Sequence, residues 1–252
     1  MKSVVVAVIA ISVPLAAQWL QYPTKGIPRT PDGKPNLAAP APKTPDGKPD
    51  LAGIWQPNTK YLANIAADLK PEDVALQPWA AAVFKERQAL THAKEESNAN
   101  CLPPGVPRIS SAPFPYKIIQ APGMVIILHE AFGLYRQIFT DGRELPKDPQ
   151  PSWLGYSVGH WEGDTLVVDT IGFNGKTWLD QSGHPQTEAG HVTERYRRRD
   201  FGHMDVQITI DDPKAYTKPW TITEDPHLVA DTELLEYVCN ENEQDIKHLG
   251  GK

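Results

Sequence analysis

The stretch LGYSVGHWEGDTLVVDTIGF, residues 154–173, carries two runs of alternating residues that meet at Glu162-Gly163-Asp164. Alternation on both sides of a short glycine turn predicts a β-hairpin. The same period of two continues in YKIIQ (116–120), MVIILHE (124–130), LYRQIFT (134–140), HVTERYRR (191–198), MDVQITI (204–210), PWTIT (219–223) and LLEYVC (234–239). Pro-Gly, Phe-Gly, Asp-Gly and Glu-Gly-Asp turns bound these runs. Nine short strands in about 125 residues, joined mostly by short turns, predict a mostly β chain folded as an antiparallel meander. A meander of this length closes on itself to remove its edges, so a barrel or strongly curled sheet is expected.

A helical segment, residues 71–96, precedes the strands. Pro71-Glu72-Asp73 suits a first turn, and Pro78 opens PWAAAVFKERQALTHAKEE, with Trp79, Val83 and Phe84 as a narrow apolar stripe. Further upstream, residues 1–17 have the form of a secretory signal peptide, one lysine followed by an apolar run too short to span a bilayer. Residues 18–50 are rich in proline and read as a linker holding TPDGKPNLA (30–38) and TPDGKPDLA (44–52), each with an Asp-Gly turn; the first copy is expected to be an extended spacer, and the second, which runs into LAGIW, a lead-in to the first strand. The folded domain is then expected over residues 51–245, with 246–252 as a tail. Periplasmic or extracellular localisation follows. Cys101 and Cys239, the two cysteines, are expected to pair in an oxidising compartment.

Net charge is −6, and the one dense basic run is Arg195-Tyr196-Arg197-Arg198-Arg199. That balance argues against nucleic acid as a partner. There is no G-x-S-x-G elbow, no phosphate-cradling glycine loop and no CxxC. No cofactor is expected, and no membrane span after signal cleavage.

Gly53-Ile54-Trp55 in LAGIW resembles the Gly-x-Trp opening of lipocalin-like (calycin) barrels. PYKIIQAPG, QIFTDGRELP, GHWEGDTLVVDT and DDPKAYTKPW more closely resemble a family of exported proteins from soil bacteria of the Acidobacteria type. That resemblance covers roughly residues 44–245 and implies an exported β domain, with no activity attached to it.

On a strand with one apolar face, an ionisable residue on that face marks a site. Glu130 ends the set Met124, Ile126, Leu128; Arg136 lies between Leu134 and Ile138; Glu194 lies between Val192 and Tyr196; His160 ends the set Leu154, Tyr156, Val158. MVIILHE is apolar on both faces, so a slip of one residue brings His129 inward instead of Glu130. Two readings stand side by side. Arg136 closes an ion-pair network with Glu130 and Glu194, or these groups line the base of a ligand cavity.

The loop LDQSGHPQTEAGHVTE (179–194) adds Asp180, His184, Glu188 and His191. Its spacing matches no tight metal motif, and His191 and Glu194, three apart on a strand, face opposite sides, so no metal is expected. It reads as a polar loop at the barrel mouth, with His184 near solvent or ligand. Trp153, Tyr156 and Trp161 on one hairpin, with Tyr196, can stack on a ring. Arg136 or Arg143 can bind an anionic group. The expected function is binding of a small amphipathic, aromatic or sugar-derived ligand. Two alternatives remain open: a cofactor-independent hydrolase, lyase or isomerase using Glu194, His191, His160 or Glu130 in proton transfer, and a solid barrel acting as an interaction module.

Overall fold

The computed structural model describes residues 22–89, 95–239 and 241. The signal-peptide stretch, the 246–252 tail and residues 90–94 of the expected helical segment lie outside them. A ten-stranded sheet curls into a half-barrel. Its strands are β1 (Gly53–Gln56), β2 (Tyr116–Ala121), β3 (Met124–His129), β4 (Leu134–Phe139), β5 (Tyr156–Glu162), β6 (Thr165–Ile171), β7 (His191–Arg198), β8 (Met204–Asp211), β9 (Trp220–Glu224) and β10 (His227–Leu228). The order is β10-β1-β2-β3-β4-β5-β6-β7-β8-β9. At one end the ladder returns to its start. β10 pairs with β1, while His227 also bridges His203 just before β8.

The opening hairpin forms as its pattern requires. β5 and β6 pair from Tyr156↔Ile171 to Glu162↔Thr165, and Gly163 takes the left-handed φ of 59° for which a two-residue loop selects glycine. The concave face is mainly apolar, with Ile127, Ile138, Val168 and Ile208 fully buried. Each such side chain removed from water adds roughly 1.5–3 kcal/mol before chain entropy is counted.

Several expectations are corrected. β4 and β5 are parallel, not antiparallel, because residues 140–155 carry the chain back to the starting end before β5 begins. Residues 234–239 are not a strand. β10 already occupies the hydrogen-bonding edge of β1, and Cys239 is instead tied to Cys101 with a Cα–Cα distance of 5.7 Å. The described part of the proline-rich linker is not an extended spacer. Each TPDGKP copy closes a small hairpin, bridged at Arg29↔Pro35 and Lys43↔Pro49, with the threonine hydroxyl on the aspartate two residues on. The 71–96 segment breaks into a 3-10 turn at Pro71–Asp73 and an α-helix (α2, Pro78–Gln88), and a further 3-10 turn follows it at Ser97–Asn100. A short helix α1 (Lys60–Ala63) precedes it.

The interior is occupied. Residues 104–112 are buried throughout, and Val106, Ile109 and Ala112 belong to the core formed with the strands. Ser111 on this plug donates to Glu224, an inward residue of β9, and the Gln186 amide donates to the carbonyl of Val106.

Candidate functional site

Arg136 of β4 is the centre of the inner polar network. Its guanidinium donates from Nη1 to Glu194 Oε1 (3.1 Å), from Nη2 to Glu194 Oε2 and to Thr170 Oγ1 (2.8 Å), and from Nε to Ser157 Oγ (3.1 Å). The Tyr196 hydroxyl donates to Glu194 Oε1 (2.7 Å). Four strands, β4 to β7, are thereby joined through one buried ion pair. Burial opposes the Arg136 cation, but Glu194 more than offsets it, and the guanidinium pKa is raised. Burial lifts the Tyr196 hydroxyl well above its usual range.

Strand parity decides what joins this network. Val125, Ile127 and His129 are the inward residues of β3. Glu130 lies beyond the strand end and accepts the backbone N–H of Leu235 (2.8 Å), so it is no partner of Arg136. Burial, with the Arg136 charge second, pushes His129 down to about 3. On β5 the inward residues are Ser157 and Gly159; His160 faces out and pairs with Glu162 (3.2 Å). The sequence misleads here because the outer residue Tyr156 is itself covered, stacked on Phe139 at 5.3 Å. His191 faces away from Glu194 and bonds Asp169 (2.8 Å). His184 does not line a solvent-facing mouth. Buried Asp180 holds its Nδ1 at 2.5 Å and also accepts the N–H groups of Ile65, Gly183 and His184.

Another inward buried carboxylate, Glu224, was not singled out from the sequence. The run PWTIT ends one residue short of it, yet Trp220, Ile222 and Glu224 alternate inward. Burial pushes Glu224 up to about 7, opposed by its hydrogen bond from Ser111 (2.5 Å). Arg108 of the plug is also buried and pairs with Glu96 (2.7 Å). It carries no periodic signal, because its 3-10 turn, Arg108–Ser111, is too short to show a repeat.

The cleft lies at the β4–β5 seam. Only Ile138↔Ser157 and Phe139↔Val158 pair across it. Towards their starts the strands part, since Ser152 leaves to bridge Phe173. Gly155 turns the chain at φ 69°, where a Cβ would sit 2.8 Å from the Ile171 carbonyl oxygen. The groove so opened is about 380 Å³, walled by Leu134, Tyr135, Phe139, Trp153 and Tyr156, with Arg136 and Ser157 also lining it. Arg143 sits beside it, donating to the Tyr156 hydroxyl (3.0 Å), stacked on Phe139 (3.8 Å) and bonded to Asp141. Three of the residues proposed to contact ligand, Arg136, Trp153 and Tyr156, thus meet in one groove. Trp161 lies elsewhere, at the barrel end, and Tyr196 in the interior.

Among the described residues no three of His, Cys, Asp and Glu gather as metal ligands, and no helix is long and apolar enough to cross a membrane. Compared with family models, curated proteins and solved structures, the chain matches none.

Proposed function

We propose that this chain is an exported binding protein that holds a small amphipathic molecule with an aromatic part in the β4–β5 groove. The observation that carries the reading is the loss of strand pairing at the seam, which leaves an aromatic-walled groove of about 380 Å³ running down to Arg136 and Ser157. A mostly apolar cleft of a few hundred Å³ with a few polar groups at its base suits such a ligand. The Cys101–Cys239 disulfide and the apolar run at residues 4–17 support export. Acid–base catalysis has less support, since both Glu194 oxygens are taken by Arg136 and Tyr196, and His191 lies on the other face.

The test uses N-phenyl-1-naphthylamine, a neutral amphipathic fluorophore. Saturable enhancement at one equivalent is expected, weakened about tenfold in Trp153→Ala. Absence of a saturable phase, or affinity unchanged in Trp153→Ala, overturns the reading. Absence of any saturable phase leaves the filled interior as that of a solid interaction module.

A further inference from the structure

The two TPDGKP copies share a backbone but not a setting. In each, the glycine N–H bonds the threonine carbonyl and the threonine N–H bonds the lysine carbonyl. In the first copy Lys34 pairs with Asp32 at 2.9 Å, out in solvent. In the second, Lys48 forms no ion pair with any described residue and is half-buried in a cavity wall.

That cavity, about 460 Å³, lies between the second hairpin and one end of the half-barrel. The hairpin is held there at both sides. Gln120 of β2 accepts the N–H of Leu51 and donates to the carbonyl of Pro49 (3.2 Å), and Lys43 reaches Asp164 in the β5–β6 turn (3.7 Å). Val125, Thr140 and Trp161 of the barrel line the cavity opposite Asp46 and Lys48 of the hairpin. Asp46 already accepts the Thr44 hydroxyl at 2.5 Å.

Lys48 lines the cavity with no carboxylate paired to it among the described residues, so an anion entering the cavity meets an uncompensated positive charge. Trp161 supplies a flat face for a ring. A lone cation with Asp46 on the same wall suits one negative charge and disfavours a dianion such as a phosphate monoester. We propose that this cavity binds a small ring-bearing carboxylate, with the ring on the Trp161 indole and the carboxylate on Lys48. The seam groove contributes none of these residues, so the site stands apart from the one above.

Ring carboxylates come as sugar acids or aryl acids. The test therefore titrates glucuronate and benzoate separately, with glucose as the neutral control. The readout is the Trp161 indole N–H resonance, assigned by its loss in Trp161→Phe. One of the acids is expected to shift that resonance saturably, and glucose is not. Stronger binding of glucuronate identifies a sugar-acid site, and stronger binding of benzoate an aryl-acid site. Lys48→Met is expected to weaken the bound acid by about tenfold or more with an unchanged thermal midpoint, because the side chain has no structural partner to lose. The proposal is overturned if neither acid moves the Trp161 signal at millimolar concentration, or if Lys48→Met binds as well as the parent. Trp153→Ala, which tests the seam groove, is expected to leave this binding unchanged.

Discussion

Glu194 on β7 and Glu224 on β9 both point into the half-barrel, and both are buried. Their partners differ in kind. Glu194 takes two bonds from Arg136 and one from Tyr196, all from strands of the same sheet. Glu224 takes one hydroxyl bond, from Ser111 at the end of a 3-10 turn (Arg108–Ser111) that is not part of the sheet. Desolvation of a carboxylate costs several kcal/mol in either place. At Glu194 the guanidinium offsets that cost. At Glu224 no cation among the described residues does, and the group responds by holding its proton up to about 7. Equal burial therefore gives a fixed tie in one place and a protonation site in the other.

Breaking the tie has the largest expected effect. Arg136→Met leaves Glu194 charged and unpaired in the core, and a loss of roughly 3–5 kcal/mol is expected in urea unfolding. Adding Glu194→Met to that variant recovers most of the loss, since neither charge then remains buried. If the single and double variants are equally unstable, the pair matters by shape and not by charge compensation.

The next effect carries a sign. The acid at Glu224 titrates near 4.5 unfolded and about 7 folded, so between those values the native state binds more protons than the unfolded chain. Its contribution to stability is complete below pH 4.5, is lost as pH rises to 7, and is then flat, a total of about 3 kcal/mol. Glu224→Gln keeps the shape and the acceptor for Ser111. It is expected to exceed the parent by about 3 kcal/mol at pH 8 and to match it at pH 4.5. His129 runs the opposite way: its depressed value, about 3, means stability is lost as pH falls from 6.5. The difference between parent and Glu224→Gln cancels that slope. A difference independent of pH rules out protonation of Glu224 as its origin.

The contrast also shows what a sequence can reveal. Arg136 and Glu194 were legible because each interrupts an unambiguous apolar face, and strand period two fixes their side. His129 and Glu130 were not separable, because β3 is apolar on both faces and only the neighbouring strands settle its parity. Glu224 was within reach, one residue past the assigned end of its run. Ser111 was not, since the plug has no repeat and its burial depends on the barrel around it. The parallel turn at β4–β5 was hidden for a related reason. Alternation predicts that a strand exists, but the path of residues 140–155 decides which way its neighbour runs. The groove, formed by two strands failing to pair, leaves no trace in either strand's pattern.

The smallest expected effect sharpens the same contrast. Tyr196→Phe removes one of the three donors on Glu194 and leaves both Arg136 bonds in place. A hydrogen bond to a charged group contributes roughly 1.5–3 kcal/mol when its loss strands the acceptor. Here the carboxylate keeps its guanidinium, so the loss should sit at the low end, about 1.5 kcal/mol. The cause can be isolated by repeating the substitution in the Arg136→Met/Glu194→Met background, where the hydroxyl has no carboxylate to meet. If Tyr196 acts through Glu194, the substitution becomes nearly neutral there or slightly stabilising, and the coupling equals most of the original cost. An undiminished cost in that background would place the hydroxyl's role in packing, and Glu194 would then rest on Arg136 alone.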